Sequence, residues 1–452
     1  MRANSLKTWI VPAVAFGMGA LAHATMRELP AHGADPVAAS TAPVAAPVGS
    51  SDSPFAVTRK LGEALVLVEK EYVEPVPRQK LLDGALKGMV QNLDPHSAYM
   101  DVEEYRAFRA DTAGRFAGVG IEVDVRGDVI TVIAPIEGSP AERAGVRSGD
   151  RIVMVDTENA QEVGFDQVVK RLRGPVGTKV KLVVRRPSVA EPITFTLVRE
   201  SIHVSSIATK RLDGNVLYLR IKQFQERTHG ELLTAYAKVR GSTAPEGIIL
   251  DLRSNPGGLV DEALGVADEF LDSGVVYTMR ARERILEEGK AGPGGALTKP
   301  KVVVLVNEWT ASASELLTAA LQDQGRAKVV GTVSFGKGSV QTITDLPDGS
   351  GIKLTIARYY APSGRAIQAV GIKPDVLLQP SKEGFPMQRE KDLEGHLPDS
   401  KDRNSSLDAG AILIDATAGE VAVPREVPED PRKGKDEYLR VGYETLLQLM
   451  KR

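Results

Sequence analysis

The sequence predicts a mixed α/β chain of several domains, and three observations carry that expectation. From Phe55 to about Arg109, apolar residues recur at helical spacing (Leu61, Leu65, Val68 and Val73, then Leu81, Leu82, Leu86, Met89 and Val90). From about Phe116 to Arg199, short alternating runs are punctuated by glycine turns, a strand pattern. From 201 to about 376, apolar strand-like runs alternate with helical ones, as layered α/β folds require.

The first stretch reads as two amphipathic helices ending near Asn92-Leu93-Asp94-Pro95. In the second, the strands Val129–Val132, Ile152–Val155, Val180–Val184 and Ile193–Leu197 surround the turns Gly138-Ser139-Pro140 and Ser148-Gly149-Asp150, with a helical run from Phe165 to Leu172. In the third, Val216–Phe224, Gly247–Leu252 and Val302–Val306 read as strands, and Leu259–Leu271 and Ser314–Leu321 as helices. Charge clusters through 382–403 suggest a loose polar segment over 377–435. A last helix from about Asp436 to the C-terminus carries an apolar stripe too irregular to assign a partner.

Composition bounds the function. A chain of 452 residues, 42% apolar and 26% charged, has room for two or three domains and a substantial core. A formal charge of −2 argues against a general nucleic-acid binder. The absence of cysteine rules out thiol catalysis, cysteine-ligated zinc and disulfides. Arg2 and Lys7 precede an uncharged, mostly apolar run from Thr8 to Ala22 that closes in Ala22-His23-Ala24. That order predicts an export signal, 1–24, cut after Ala24. The rival, an uncleaved anchor, suits a longer run without Pro12, Gly17 and Gly19. Residues 25–54, rich in Ala, Pro, Gly and Ser, form a spacer. The exported chain is expected in the periplasm, held at the inner membrane if the segment stays uncut.

Ser312 and Lys337 are the candidate reactive pair. None of the six histidines lies between Ala311 and Gln341, so a serine nucleophile there needs another base. A lysine serves if burial lowers its pKa, because its neutral form then becomes accessible. The competing reading of Ser312-Ala-Ser-Glu315 is a helix-capping box. Gly331 to Lys337 matches the first seven positions of a phosphate-binding loop. Gly338 stands where that motif needs Ser or Thr, however, and Val340–Thr344 alternates like a strand rather than opening a helix.

Several motifs stand in one order: Leu-Asp-Pro-His-Ser (93–97), Gly-Val-Gly-Ile (118–121) followed by Ser-Pro-Ala-Glu-Arg-Ala-Gly and Gly-Asp-Arg-Ile, Asp-Leu-Arg-Ser-Asn-Pro-Gly-Gly (251–258), Thr-Ala-Ser-Ala-Ser-Glu (310–315), Phe-Gly-Lys-Gly-Ser-Val-Gln (335–341) and Gly-Ile-Lys-Pro-Asp (371–375). Over Phe55 to Asp375 the chain therefore resembles the carboxyl-terminal processing peptidases, or tail-specific proteases. The resemblance implies a spiral β-β-α core of the ClpP/crotonase type (201–376) with an inserted PDZ domain (111–200) and an N-terminal helical region (55–110). It implies Ser312 as nucleophile in preference to Ser314, Lys337 as general base, and Gln341 orienting the lysine. The amides of Gly258 and Ala313 would form the oxyanion hole, and Arg173 would be the arginine that couples the PDZ domain to Gln341.

The turn Gly118-Val119-Gly120-Ile121 can aim backbone amides at a terminal carboxylate. The strand that follows, through Val123, can take a peptide by strand addition. The expected partners are protein substrates with free, apolar C-terminal tails, a second copy of the chain, and an adaptor; no metal or organic cofactor is implied. Two alternatives remain: a catalytically silent PDZ scaffold or chaperone, and a fold relative that binds small hydrophobic ligands. Neither needs both Ser312 and Lys337.

Overall fold

The computed structural model describes residues 54–126, 129–187, 189–241, 243–282, 284–379, 388–398, 412–417 (backbone only) and 426–452. The expected export signal and the spacer up to residue 53 lie outside them; Pro54 already belongs to a helix. Among the described residues, no helix is long and apolar enough to cross a membrane.

The chain divides into a unit ending at Val68 and a larger one from Glu69 onward. Helical structure before the PDZ region is more extensive than expected: Pro54–Glu71, Arg78–Gln91 and a third helix, Val102–Thr112. The third helix has few apolar residues to betray it, and it is set by a capping box in which Asp101 accepts from the Glu103 and Glu104 amides.

The region from about residue 201 onward is built on a seven-stranded sheet. Its strands run in the order Ile207–Leu212, Val216–Ile221, Gly247–Asp251, Lys301–Val306, Ala327–Gly331, Val376–Gln379, Ile412–Thr417. All neighbours are parallel except the first pair. Parallel strands are covered on both faces, which is why these read as continuous apolar runs. Side chains alternate between two cores. Leu217, Leu219, Ile248, Leu250, Val302 and Val304 pack with the helices Thr228–Arg240, Val260–Phe270 and Ala313–Asp323. Val216, Tyr218, Ile249, Val303 and Leu305 pack with the C-terminal helix Glu437–Met450.

That helix stands where the sequence places one, and the sheet is the partner the sequence reading left unassigned. Tyr438, Leu439, Val441, Tyr443 and Leu446 are buried against the sheet, a stripe wide enough to cover a broad face rather than a narrow seam. The segment expected as a loose linker also holds regular structure. It supplies the strand Ile412–Thr417 and a short turn of helix, Glu390–Asp392, with Glu390 fully buried.

A second, antiparallel sheet (Ala98–Met100, Gly351–Tyr360, Gly274–Ala281, Arg284–Ala291, with Ser339–Asp345 on Gly351–Tyr360) carries the stretch after Lys337. The PDZ-like region has its own core around Val132, Ile152, Val155, Val168, Val180 and Leu182. Its sheet runs Ile121–Arg126, Val129–Pro135, Arg151–Val155, Lys179–Arg185, Ile193–Val198, so Ile121–Arg126 is an edge strand.

The chain's end is locked to the sheet by charge. Arg253 donates to both oxygens of Asp251 (2.9 and 2.6 Å) and both of Asp436 (2.7 and 2.8 Å), and Asp436 caps the C-terminal helix at the Leu439 amide. The Arg253 and Asp436 side chains are 4% and 6% exposed. Removing one member of such a group leaves an uncompensated buried charge. Asp436→Ala is therefore expected to cost about 3 kcal/mol, read as a lower urea midpoint for the core, whereas Arg432→Ala on the exposed turn should shift it little.

Candidate active site

Three neighbouring parallel strands end at Asp251, Val306 and Gly331, so the loops 252–259, 307–312 and 332–338 leave the same edge of the sheet. The carboxyl ends of parallel strands are where open α/β sheets gather their ligands. Asn307 stitches the first two loops, its Oδ1 accepting from the Ser254 amide (2.8 Å) and the Trp309 amide (3.2 Å). The Thr310 hydroxyl donates to the Leu252 carbonyl at 2.8 Å, and the Ala311 amide to that of Asn255 at 3.0 Å.

Ser312 starts the helix Ala313–Asp323 with φ +57° and ψ −121°, partly exposed. A non-glycine residue at such angles costs about 1–3 kcal/mol and persists only where its surroundings enforce it. Ser314 is different: it is fully buried and its hydroxyl donates to the Asn255 carbonyl (3.2 Å). The structure thus gives the two serines separate circumstances, one strained and accessible, one enclosed and engaged.

Gly257 lies against Ser312. A Cβ on Gly257 would sit 2.8 Å from the Ser312 Cβ and 2.9 Å from the Ala313 nitrogen, so no side chain fits there. Gly258 has φ +134° and bridges Phe224. The bridge uses the Gly257 carbonyl, accepting from Phe224 (2.8 Å), and the Leu259 amide, donating to Phe224 (2.7 Å). Opposed N–H and C=O in each planar peptide then point the Gly258 amide away from Phe224. Among the described residues, neither the Gly258 nor the Ala313 amide has a hydrogen-bond partner. Ala313 is in the first turn of its helix, where amides are left unpaired by geometry.

Glu315 joins the helix to the third loop. Its carboxylate is fully buried and accepts from the Ser312 amide (2.8 Å), the Gly336 amide (2.7 Å), the Lys337 amide (2.8 Å) and the Ser334 hydroxyl (2.5 Å). The capping reading of Glu315 therefore holds for the Ser312 amide, and three further donors converge on the same group. Burial pushes Glu315 up to about 7, against the pull of those hydrogen bonds.

Lys337 is pushed down to about 8, chiefly by burial and next by the positive charge of Lys353, while Glu390, Glu315 and Asp94 oppose the shift. These charges come from scattered positions. Burial works against ionisation of Asp94, but hydrogen bonds from Ser97, the His96 amide and Thr355 hold its carboxyl below the usual range. Glu390 accepts from Gln368 (2.7 Å) and pairs with the His96 ring (2.7 Å), and Gln368 in turn accepts from the Gly338 amide (2.9 Å). Gln341 donates from its amide to Ser339 (2.8 Å) and Thr355 (3.3 Å). Lys353, Gln368 and Glu390 carry no motif or periodic signal, and sequence reasoning missed them. Asp94 and His96 stood in a quoted motif without a role.

The Gly118–Ile121 turn borders a groove of about 420 Å³ between the edge strand and the helix Ala160–Leu172. The Val119 and Gly120 carbonyls accept from Ala141 (3.0 Å) and Ile136 (2.9 Å). Peptide planarity then turns the Gly120 and Ile121 amides the opposite way. Val123 and Arg173 also line the groove, and the Arg173 guanidinium lies 5.1 Å from the centre of the Phe116 ring. In this structure Arg173 and Gln341 keep separate partners.

Comparison with known proteins gives the chain's family. Residues 215–378 match the model of peptidase family S41, and 131–186 that of the PDZ domain. Residues 23–104 match the N-terminal domain of the activating protease CtpB. The carboxy-terminal-processing protease of Bartonella bacilliformis is 38% identical over 78% of this chain and 83% of its own. The carboxy-terminal processing protease CtpA of Bacillus subtilis is 38% identical over 70% and 68%. A solved photosystem II D1 C-terminal processing protease is 30% identical over 70% of this chain and 92% of its own, with a TM-score of 0.44. The chain belongs to peptidase family S41 and is a C-terminal processing peptidase with a PDZ domain.

Glu315 makes a testable electrostatic prediction. A carboxyl whose folded value is raised favours folding below its ordinary value of 4.5, and that contribution is lost as pH rises through about 7. Glu315→Gln should cost about 1–3 kcal/mol, because an amide cannot serve every donor. It should also flatten the decline in urea midpoint between pH 5 and pH 8 that wild type shows.

Proposed function

We propose that this peptidase is an exported serine endopeptidase that cleaves with a Ser312–Lys337 dyad after its PDZ domain has engaged the C-terminal tail of a protein substrate. The observation that carries the reading is the single buried carboxylate of Glu315, which accepts from the amides of both Ser312 and Lys337. Nucleophile and base are thereby anchored to one group.

Lys337, with its value near 8, has a substantial neutral fraction in mildly alkaline solution, the state a general base must occupy. It takes the Ser312 proton as the oxygen bonds to the scissile carbonyl. The amides of Gly258 and Ala313 stabilise the resulting oxyanion. Lys337 then gives its proton to the leaving amine, and water releases the acyl group from Ser312. Gln341, itself held by its hydrogen bonds to Ser339 and Thr355, orients the lysine. The tail's carboxylate meets the Gly120 and Ile121 amides, and the tail adds to the edge strand Ile121–Arg126. The leader 1–24 delivers the chain to the periplasm, where it acts as a homo-oligomer with an adaptor. Signal-sequence removal, native mass and co-purification from a periplasmic fraction test those three points.

Ser312→Ala and Lys337→Ala are each expected to abolish peptide cleavage and fluorophosphonate labelling while leaving the fold intact, since the pair acts as one unit. Lys337→Arg should be equally inactive, as arginine keeps its proton. In wild type, kcat/KM should rise with pH to a half-maximum near 8. Turnover by folded Lys337→Ala would exclude the dyad.

Arg173 couples tail docking to Gln341 in a second state in which it leaves Phe116. On this reading Arg173→Ala lowers kcat on tail-bearing substrates more than it alters tail affinity. Arg173→Ala with Gln341→Ala should then cost less than the sum of the single losses; strict additivity would exclude the coupling.

A further inference from the structure

The tail groove is not built by the PDZ domain alone. Its lining includes Val204, past the last PDZ strand, and Lys222, which follows the core strand Val216–Ile221. Ile202, which lines the same groove, approaches the glycine turn. A Cβ on Gly120 would lie 3.5 Å from the Ile202 Cδ1, and Lys222 is tied three and four residues beyond Ile202. There the Lys222 amide donates to the Ser206 carbonyl (2.8 Å) and its Nζ to that of Ser205 (3.3 Å). The charged residues of the lining are Glu122, Arg173 and Lys222. Arg173 lies over Phe116, and Lys222 is exposed. A lysine ammonium has three donors. Among the described residues, Ser205 is the one protein acceptor that Lys222 meets.

We infer that Lys222, a residue of the peptidase core, is the charged ligand for the substrate's terminal carboxylate, completing the site begun by the Gly120 and Ile121 amides. The inference rests on the tail-binding reading above and deepens it. Backbone amides recognise a carboxylate by direction, and a cation beside them adds charge-assisted strength. The placement has a consequence for catalysis. Lys222 is two residues from Phe224, whose amide and carbonyl bridge Gly257 and Leu259 around Gly258. Next to Phe224, Gln225 donates to the Val204 carbonyl (2.6 Å) and the Glu226 amide to that of Thr112 (3.1 Å), at the two chain crossings between PDZ domain and core. A tail held by Lys222 is thus bound across the junction and not on a free-standing module, so tail recognition reports the position of the PDZ domain on the core.

The test uses the full chain carrying Ser312→Ala and two fluorescent decapeptides of identical apolar sequence, one ending in a free carboxylate and one amidated. The quantity read is the ratio of their dissociation constants by anisotropy. The Ser312→Ala chain should favour the free carboxylate, and adding Lys222→Gln should reduce that preference by about three- to fivefold, the scale of one exposed charge contact. Lys222→Arg should retain it, and raising the salt concentration should shrink it in the lysine protein more than in the glutamine variant. An unchanged ratio in Lys222→Gln, with the Ser312→Ala chain still preferring the free carboxylate, overturns the role of Lys222 and leaves tail recognition to the amides. A ratio as low in Lys222→Arg as in Lys222→Gln also overturns it. No preference in the Ser312→Ala chain itself removes the tail reading together with the inference.

Discussion

The buried carboxylate of Glu315 is the constraint on which the site depends. A carboxylate fully removed from water is costly unless its lone pairs are occupied, and here four donors occupy them. Those donors come from two chain segments that share no secondary structure, the head of the helix Ala313–Asp323 and the loop after the strand Ala327–Gly331. Neither segment can shift without stranding part of that charge. The positive φ of Ser312 and the exclusion of any side chain at Gly257 follow from the same tight meeting of loops.

The sheet below supplies the rigidity. Its strands are covered by helices on one face and by the C-terminal helix on the other, so the loop ends are fixed from both sides. Arg253 makes that second face part of the site's support. It stands between Asp251, at the end of a strand, and Asp436, at the cap of the last helix, and two residues later the backbone enters the Asn255–Gly258 turn. The chain's end therefore steadies a loop placed some 180 residues earlier.

Around Lys337 the balance is one of opposing charges. Burial and Lys353 favour the neutral amine, and three carboxylates restrain that shift. The carboxylates belong to the helix head, the Leu-Asp-Pro-His-Ser stretch and the turn at Glu390. Each is held by its own hydrogen bonds, which lets distant parts of the chain set the basicity of one nitrogen.

By itself the sequence determined what depends on local order. The layered α/β pattern, the alternating strands of the PDZ region, the glycine turns at Gly118–Gly120 and Gly257–Gly258, and the Ser312 and Lys337 segments are all visible as short motifs or periods, because backbone geometry and burial act on neighbours in the chain. The placement of Gly257 against Ser312, the enclosure of Ser314, and the meeting of Lys353, Gln368 and Glu390 near Lys337 were decided only by the tertiary structure. So was the partner of the last helix, whose stripe has no regular period because it covers the faces of several strands. Electrostatics and packing act through space, and a residue such as Glu390, in a polar segment with no repeating pattern, acquires its role only when folding buries it beside His96 and Gln368.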